Sequence, residues 1–454
     1  MIDLDLIIRG RRVVLPDAIT PASIHVQSGR IRAVESFDQL DRNSHVVDVD
    51  EHSVVMPGLV DTHVHINSPG RTEWEGFESA TRAGAAGGVT TLVDMPLNSI
   101  PPTTTVAALT AKMEAATDHC YVDMSFWGGV IPGNTCDLEG LAAAGVVGFK
   151  CFLAPSGVDE FPNVTEADLR VAMPELSRLD ALLIVHAELP RTIEEASNQF
   201  ITGNDPNSYQ TFLASRPRAA ENEAVELMIQ LSREFGTRVH IVHLSSAEAI
   251  PMLREAQSAG VKITAETCPH YLHFAAEDIV AGATVFKCCP PIRERANREE
   301  LWKALAESTI DIVVSDHSPC PGEMKLPHSG NFLDAWGGIS SLQLRLPVMW
   351  TNATERGFSI SDLARWLCHG PARQVGLQKK GAIVAGNDAD FVIWNPEREF
   401  EVEPGQLQHR HKITPYAGAV LRGVVEKTFL RGRKIYDGSD IEAPPSGRLV
   451  LLGK

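Results

Sequence analysis

Eight short apolar runs punctuate the middle of the chain: LVDTHVHIN (59–67), TTLVDMPLN (90–98), YVDMSFWGGV (121–130), VVGFKCFL (146–153), ALLIVHAEL (181–189), RVHIVHLSS (238–246), VKITAETCPHYL (261–272) and DIVVSDHS (311–318). They are nearly continuous in apolar residues rather than alternating, as strands buried on both faces should be. Between them lie stretches with helical apolar spacing and helix-favouring composition, among them ENEAVELMIQLSREFG (221–236), SAEAIPMLREAQSAG (246–260) and ANREELWKALAES (296–308). Strand alternating with helix predicts a parallel sheet. Eight such units predict an α/β fold of the (β/α)8 TIM-like barrel type. The glycine-rich AGAAGG (83–88) lacks the GxxxxGK[ST] spacing of a phosphate loop and reads as the end of a helix before the second strand.

The two ends follow a different pattern. Residues 3–56 hold the strand candidates LDLIIRGRRVVL, SIHVQSGRIRAVE and HVVDVDEHSVVM, and residues 381–438 hold GAIVAGNDADFVIWN and KTFLRGRKIYDG, all separated by turn residues and without a convincing helix. The expectation is a small β-sandwich domain built from both termini, residues 1–57 with 374–454, flanking a catalytic barrel over 58–373. Pro57-Gly58 leads into the barrel. The similar phrases IIRGRRVV and FLRGRKIY predict neighbouring strands.

Composition narrows the class. A barrel uses roughly 250 residues, so a chain of 454 has room for a second unit. The excess of 58 Asp+Glu over 41 Lys+Arg, a formal charge of −17, repels phosphate backbones and anionic lipid heads, which argues against nucleic acid and membranes as partners. MIDLDLIIRG has no basic region followed by an apolar core, and no apolar stretch reaches the roughly 18 to 20 residues of a bilayer span. A soluble, cytoplasmic protein is expected. Eight cysteines without a CxxC pair read as small buried hydrophobes in a reducing compartment, the adjacent Cys288 and Cys289 included.

Candidate chemistry sits at the downstream ends of the runs, where barrel active sites are built. His63 and His65 are two apart, so an extended strand turns both imidazoles to one face. His186, His243 and Asp316 end three further runs. Any one buried histidine is more often a satisfied core residue than a ligand, but five such residues converging on one mouth favour a metal site. Imidazole with carboxylate suits zinc, cobalt, manganese, nickel or iron, and the absence of a thiolate at these positions argues against a closed structural zinc site. Lys150 is the odd member. As an ammonium it would need a salt bridge across the barrel. As a neutral amine, its pKa lowered by burial beside cations, it can capture carbon dioxide as a carbamate able to bridge two metals. Strand alternation turns Cys151 away from the metals and gives His240 a structural role on the opposite side.

These residues and phrases resemble the cyclic amidohydrolases of the amidohydrolase superfamily: allantoinases, hydantoinases or dihydropyrimidinases, and dihydroorotases. The HxH of the first strand, the lysine of the fourth, the histidines of the fifth and sixth and the aspartate of the eighth are that group's binuclear site, and every position is filled. The phrases PGRTEWEGFESATRAGAAGGVTTLVDMPLNSIPPT (69–103), GVVGFKCFLA, ETCPHYL, PPIR, SDHSPCPGEMK and DAWGGI are similar to the allantoinase branch. The resemblance implies two divalent ions, zinc first, bridged by carboxylated Lys150. It implies Asp316 as the catalytic proton carrier, and a substrate site lined by Asn98, Cys289, Ser318, Gly337 and Gly338. The small-molecule substrate would be allantoin, opened to allantoate in urate degradation, and the assembly a homotetramer.

Two alternatives remain: a hydantoinase or dihydropyrimidinase, and a non-catalytic scaffold relative. Dihydroorotases carry an arginine where this sequence has Asn67, and hydantoinases a tyrosine where it has Pro155. Scaffold relatives have generally lost metal ligands, and all six persist here. Departures from the allantoinase pattern are Ser68 for a common glutamate and Cys289 for a common serine.

Overall fold

A computed structural model describes residues 4–39, 44–441 and 444–453. Each of the eight apolar runs contains or overlaps a strand: β1 (Leu59–Val64), β2 (Val89–Asp94), β3 (Asp123–Phe126), β4 (Phe149–Phe152), β5 (Leu182–His186), β6 (Arg238–Ile241), β7 (Ile263–Thr267) and β8 (Ile312–Val313). β1, β2 and β3 pair in parallel in that order, as do β4 through β8. The two sets meet at Trp127, because the two-residue strand Gly128–Gly129 just beyond it pairs in parallel with β4. At the other margin Val64 forms a parallel bridge with His317, and the His65 amide donates to the His317 carbonyl at 2.8 Å. Burial is complete along β1, β2, β4 and β5, which accounts for the absence of polar alternation in these runs.

The intervening helices obey local rules. The AGAAGG segment closes the helix Phe77–Ala86, and Gly88, at φ 80°, turns the chain into β2. A β-carbon on Gly88 would lie 2.6 Å from Val392 Cγ2, so the position also lets the terminal sheet approach closely. The helix Arg218–Phe235 ends at Gly236 in the left-handed region. In the 261–272 run only Ile263–Thr267 is extended. Pro269, whose missing N–H is no loss at a first helical position, starts a helical turn over Pro269–His273 instead.

Both termini contribute to one eight-stranded sheet. Its order is Arg433–Tyr436, Val420–Leu430, Phe391–Glu401, Val54–Pro57, Leu6–Val14, Ile19–Gln27 and Arg30–Ser36, with His45–Asp48 pairing to Leu6–Val14. Two strands therefore separate the phrases IIRGRRVV and FLRGRKIY, contrary to the expected adjacency. Their likeness encodes local bends instead: a register shift after Gly10, and a hairpin turn at Arg431 and Gly432, at φ 47° and 75°. The last residues leave this sheet and lie along β3, with Met124 N donating to Arg448 O at 2.8 Å and Val450 N to Met124 O at 2.7 Å.

Buried charge joins the two sheets at the upstream end of β3. Lys380 Nζ lies 2.6 Å from Asp123 Oδ2 and 2.7 Å from Asp390 Oδ2, and Arg431 Nη1 lies 2.5 Å from Asp123. Removing one partner of such a network leaves a desolvated charge. Asp123→Asn is therefore expected to destabilise the protein by about 3 kcal/mol, measured as a lower urea midpoint, with metal content unchanged because the site lies at the opposite strand ends.

Candidate active site

The downstream ends of β1, β4, β5, β6 and β8 bring the six candidate ligands to one pocket. His63 lies in β1 and His65 just past it, Lys150 in β4, His186 at the end of β5, and His243 and Asp316 shortly beyond β6 and β8. Four residues of this rim hold left-handed backbone: His243 (φ 39°), Asp316 (φ 45°), Asn67 (φ 63°) and Asn98 (φ 66°). Such conformations are uncommon outside glycine and persist where the surroundings over-determine them. The four residues lie just beyond the strand ends, and of them His243, Asp316 and Asn98 line the pocket.

Two groups of donor atoms face each other across the pocket. His63 Nε2 and His65 Nε2 lie 3.2 and 3.6 Å from Asp316 Oδ1, and the three residues offer donor atoms all within 4.8 Å of one another. Opposite them, His186 Nδ1 and His243 Nε2 are 3.1 Å apart. Lys150 Nζ is fully buried with no hydrogen-bond partner, 4.9 Å from the Phe152 ring. Cys151, its neighbour in β4, joins the apolar core.

Electrostatics prepare these groups to bind cations. Burial pushes His65 down to about 4 and lowers His186 and His243 as well, so all three are neutral bases near pH 7. Burial alone would raise the Asp316 carboxyl, but His63, His65 and His243 outweigh it and hold the group ionised. Lys150 is brought down to about 8, chiefly by burial, against the pull of Glu266 and Asp316. Neutral imidazoles at His65, His186 and His243, an ionised carboxylate and an orphaned amine fit a site for divalent metal ions.

Two buried carboxylates orient the imidazoles. Glu266 Oε1 lies 2.6 Å from His63 Nδ1, and its Oε2 is 3.1 Å from His240 Nε2, whose Nδ1 is 2.7 Å from Thr264 Oγ1. His240 thus stands one carboxylate away from His63. Burial would raise Glu266, yet the two histidines hold it at about 2. Glu188 Oε2 accepts from His186 Nε2 at 2.8 Å and from Arg216 at 2.6 Å. Each carboxylate engages the nitrogen remote from the cluster and so leaves the inner nitrogen's lone pair free.

The amidohydrolase family model matches residues 54–435. The chain belongs to that family. This amidohydrolase is 50% identical over 452 residues to the allantoinase of Streptomyces avermitilis, with 99% of each chain covered. It is 42% identical over 453 residues to the allantoinase of Saccharomyces cerevisiae, with 97% of each covered. Among solved structures, an L-hydantoinase (dihydropyrimidinase) from Arthrobacter aurescens superposes with a TM-score of 0.94 at 30% identity, covering 99% of this chain and 100% of that one.

Asn98, Cys289, Ser318, Gly337 and Gly338 all line the same pocket of the amidohydrolase. Asn98 Nδ2 donates to Asn67 Oδ1 at 3.1 Å while its Oδ1 has no partner, and Ser318 Oγ donates to Asp316 Oδ1 at 2.9 Å. A β-carbon on Gly338, at φ 149°, would meet Ser318 O at 2.4 Å, so only glycine lets this backbone close over the site. Arg216 and Lys287 also line the pocket and had no sequence signal, since each lies outside the strand runs, whereas Asp334 and Trp336 line it from the DAWGGI phrase. Glu266 and Glu188 had one: carboxylates inside or just after apolar runs. Glu266→Gln is expected to weaken metal affinity about 10- to 100-fold, read by chelator competition, with activity recovered at raised metal.

Proposed function

We propose that this chain hydrolyses the five-membered hydantoin ring of allantoin to allantoate. Full-length similarity to proteins named allantoinase carries the reading, at 50% identity for the Streptomyces avermitilis enzyme against 30% for the L-hydantoinase. The pocket supports it. Pro155 lines the wall where hydantoinases carry a tyrosine, and no tyrosine is among the described residues lining the pocket.

The structural reading proposed with it is a (β/α)8 barrel over 58–373, closed through the Val64 and His317 bridge, with a second unit from residues 1–57 and 374–454. Two divalent ions, zinc first, are proposed: His63, His65 and Asp316 holding one, His186 and His243 the other, and carboxylated Lys150 both. A homotetramer and a cytoplasmic location rest on likeness to the family.

When bound, the ions supply Lewis acidity that acidifies a water and polarises the ring carbonyl. The protein's own groups do the rest. Asp316, fixed by the Ser318 hydroxyl at 2.9 Å, takes the proton of the attacking water and returns it to the departing ring nitrogen. Water thus adds across one amide C–N bond, leaving a carboxylate and a ureido group. The unpartnered Asn98 Oδ1 is available to accept from a ring N–H, and Trp336, edge-on to Trp74 at 4.9 Å, shields the mouth from solvent.

The test is a substrate panel with metal-replete enzyme prepared in bicarbonate. kcat/KM for allantoin is expected to exceed that for hydantoin and dihydrouracil by about 10- to 100-fold. The reverse order would move the assignment to a hydantoinase, and no turnover of any of them at full metal content to a scaffold.

A further inference from the structure

Behind Asp316 lies a second group of donors that the reaction does not use. Cys268 follows β7 directly, and the helical turn begun by Pro269 brings His270 back beside it. Cys268 Sγ, a ring nitrogen of His270 and a carboxylate oxygen of Asp316 all lie within 4.8 Å of one another. Cys268 and His270 are fully buried, and neither ring nitrogen of His270 has a hydrogen-bond partner. The imidazole is held only by packing, its ring 4.2 Å from that of Tyr271.

An imidazole enclosed with both nitrogens unpaired is unusual, because buried polar groups nearly always find a partner. Thiolate, imidazole and carboxylate together form the donor set of zinc and of softer divalent ions, whereas the main cluster offers no sulfur. His63 and His65 both face Asp316 Oδ1. The other carboxylate oxygen is left for a second direction of binding. Asp316 lines the pocket, and Cys268 and His270 lie buried beside it.

We propose that Cys268, His270 and Asp316 form a third cation site, selective for thiophilic divalent ions such as cadmium or excess zinc, whose occupation inhibits turnover. On binding, the Cys268 S–H bond breaks, its proton leaves to solvent, and the sulfur electron pair forms the bond to the ion, with no change of oxidation state. Inhibition rests on the reading of Asp316 as the proton carrier, since the third ion occupies a carboxylate that must otherwise accept and return a proton.

The experiment titrates cadmium into enzyme already holding two equivalents of zinc. It follows metal content after gel filtration, the ultraviolet sulfur-to-cadmium charge-transfer band, and allantoin hydrolysis. The wild type is expected to gain one cadmium and the band while activity falls in step. Cys268→Ser should lose the band and the added ion but keep both zinc ions and its activity without cadmium, whereas Cys288→Ser should keep the band. In Lys150→Ala, where the paired centre is disrupted, cadmium should still raise the band, so failure of the catalytic reading is separable from failure of this one. No added ion, or a band indifferent to Cys268→Ser, would overturn the proposal and leave a buried water as His270's partner. Should Cys268→Ser not fold, anomalous scattering from cadmium-soaked wild-type crystals decides: a peak between Cys268 Sγ and His270 supports the site, and peaks only elsewhere overturn it.

Discussion

Lys150 carries an amine with no hydrogen-bond partner into a fully buried cluster of imidazoles and carboxylates. An isolated ammonium there would be strongly penalised by desolvation, and a protein relieves that penalty by neutralising or pairing the group. Pairing is absent: the carboxylates nearby face other groups, Glu266 the His63 and His240 rings and Asp316 Oδ1 the Nε2 atoms of His63 and His65. The proposed carboxylation would resolve the conflict, turning an amine without a partner into an anion with two oxygens beside the candidate ligand imidazoles.

That centre requires precise strand ends, and the fold supplies them by strain and by anchoring. Left-handed backbone at His243 and Asp316 aims side chains that regular strands would direct elsewhere. The Glu266 and Glu188 carboxylates lock the His63 and His186 rings from behind. At the far end of β3, Lys380 and Arg431 bind both Asp123 and Asp390, so the terminal sheet grips the parallel strands away from the chemistry. Stability and chemistry are thereby placed at opposite ends of the same strands.

Much of this was legible in the sequence because burial on both faces leaves an unmistakable signal. All eight runs contain or overlap strands, and the polar residues that interrupt them, His63, His65, Lys150, His186, His243 and Asp316, share one pocket. Two loop residues were not legible: Arg216 and Lys287 reach the pocket through tertiary placement, with no periodicity or phrase to mark them. Local chemistry also misled where two structures share a phrase. CPHYL extends an apolar run in composition, yet Pro269 makes it a helical turn, and that turn is what brings His270 back to Cys268. The RGR phrases likewise record a bulge and a hairpin turn rather than strand adjacency.

The central claim, that Lys150 is a carbamate held between metals, is tested most directly by carbon-13 NMR of enzyme reconstituted with metal and labelled bicarbonate. The account predicts a slowly exchanging carbamate resonance, retained after gel filtration of the metal-loaded protein and absent from the Lys150→Ala variant. A fully metallated, active enzyme that retains no label would contradict it.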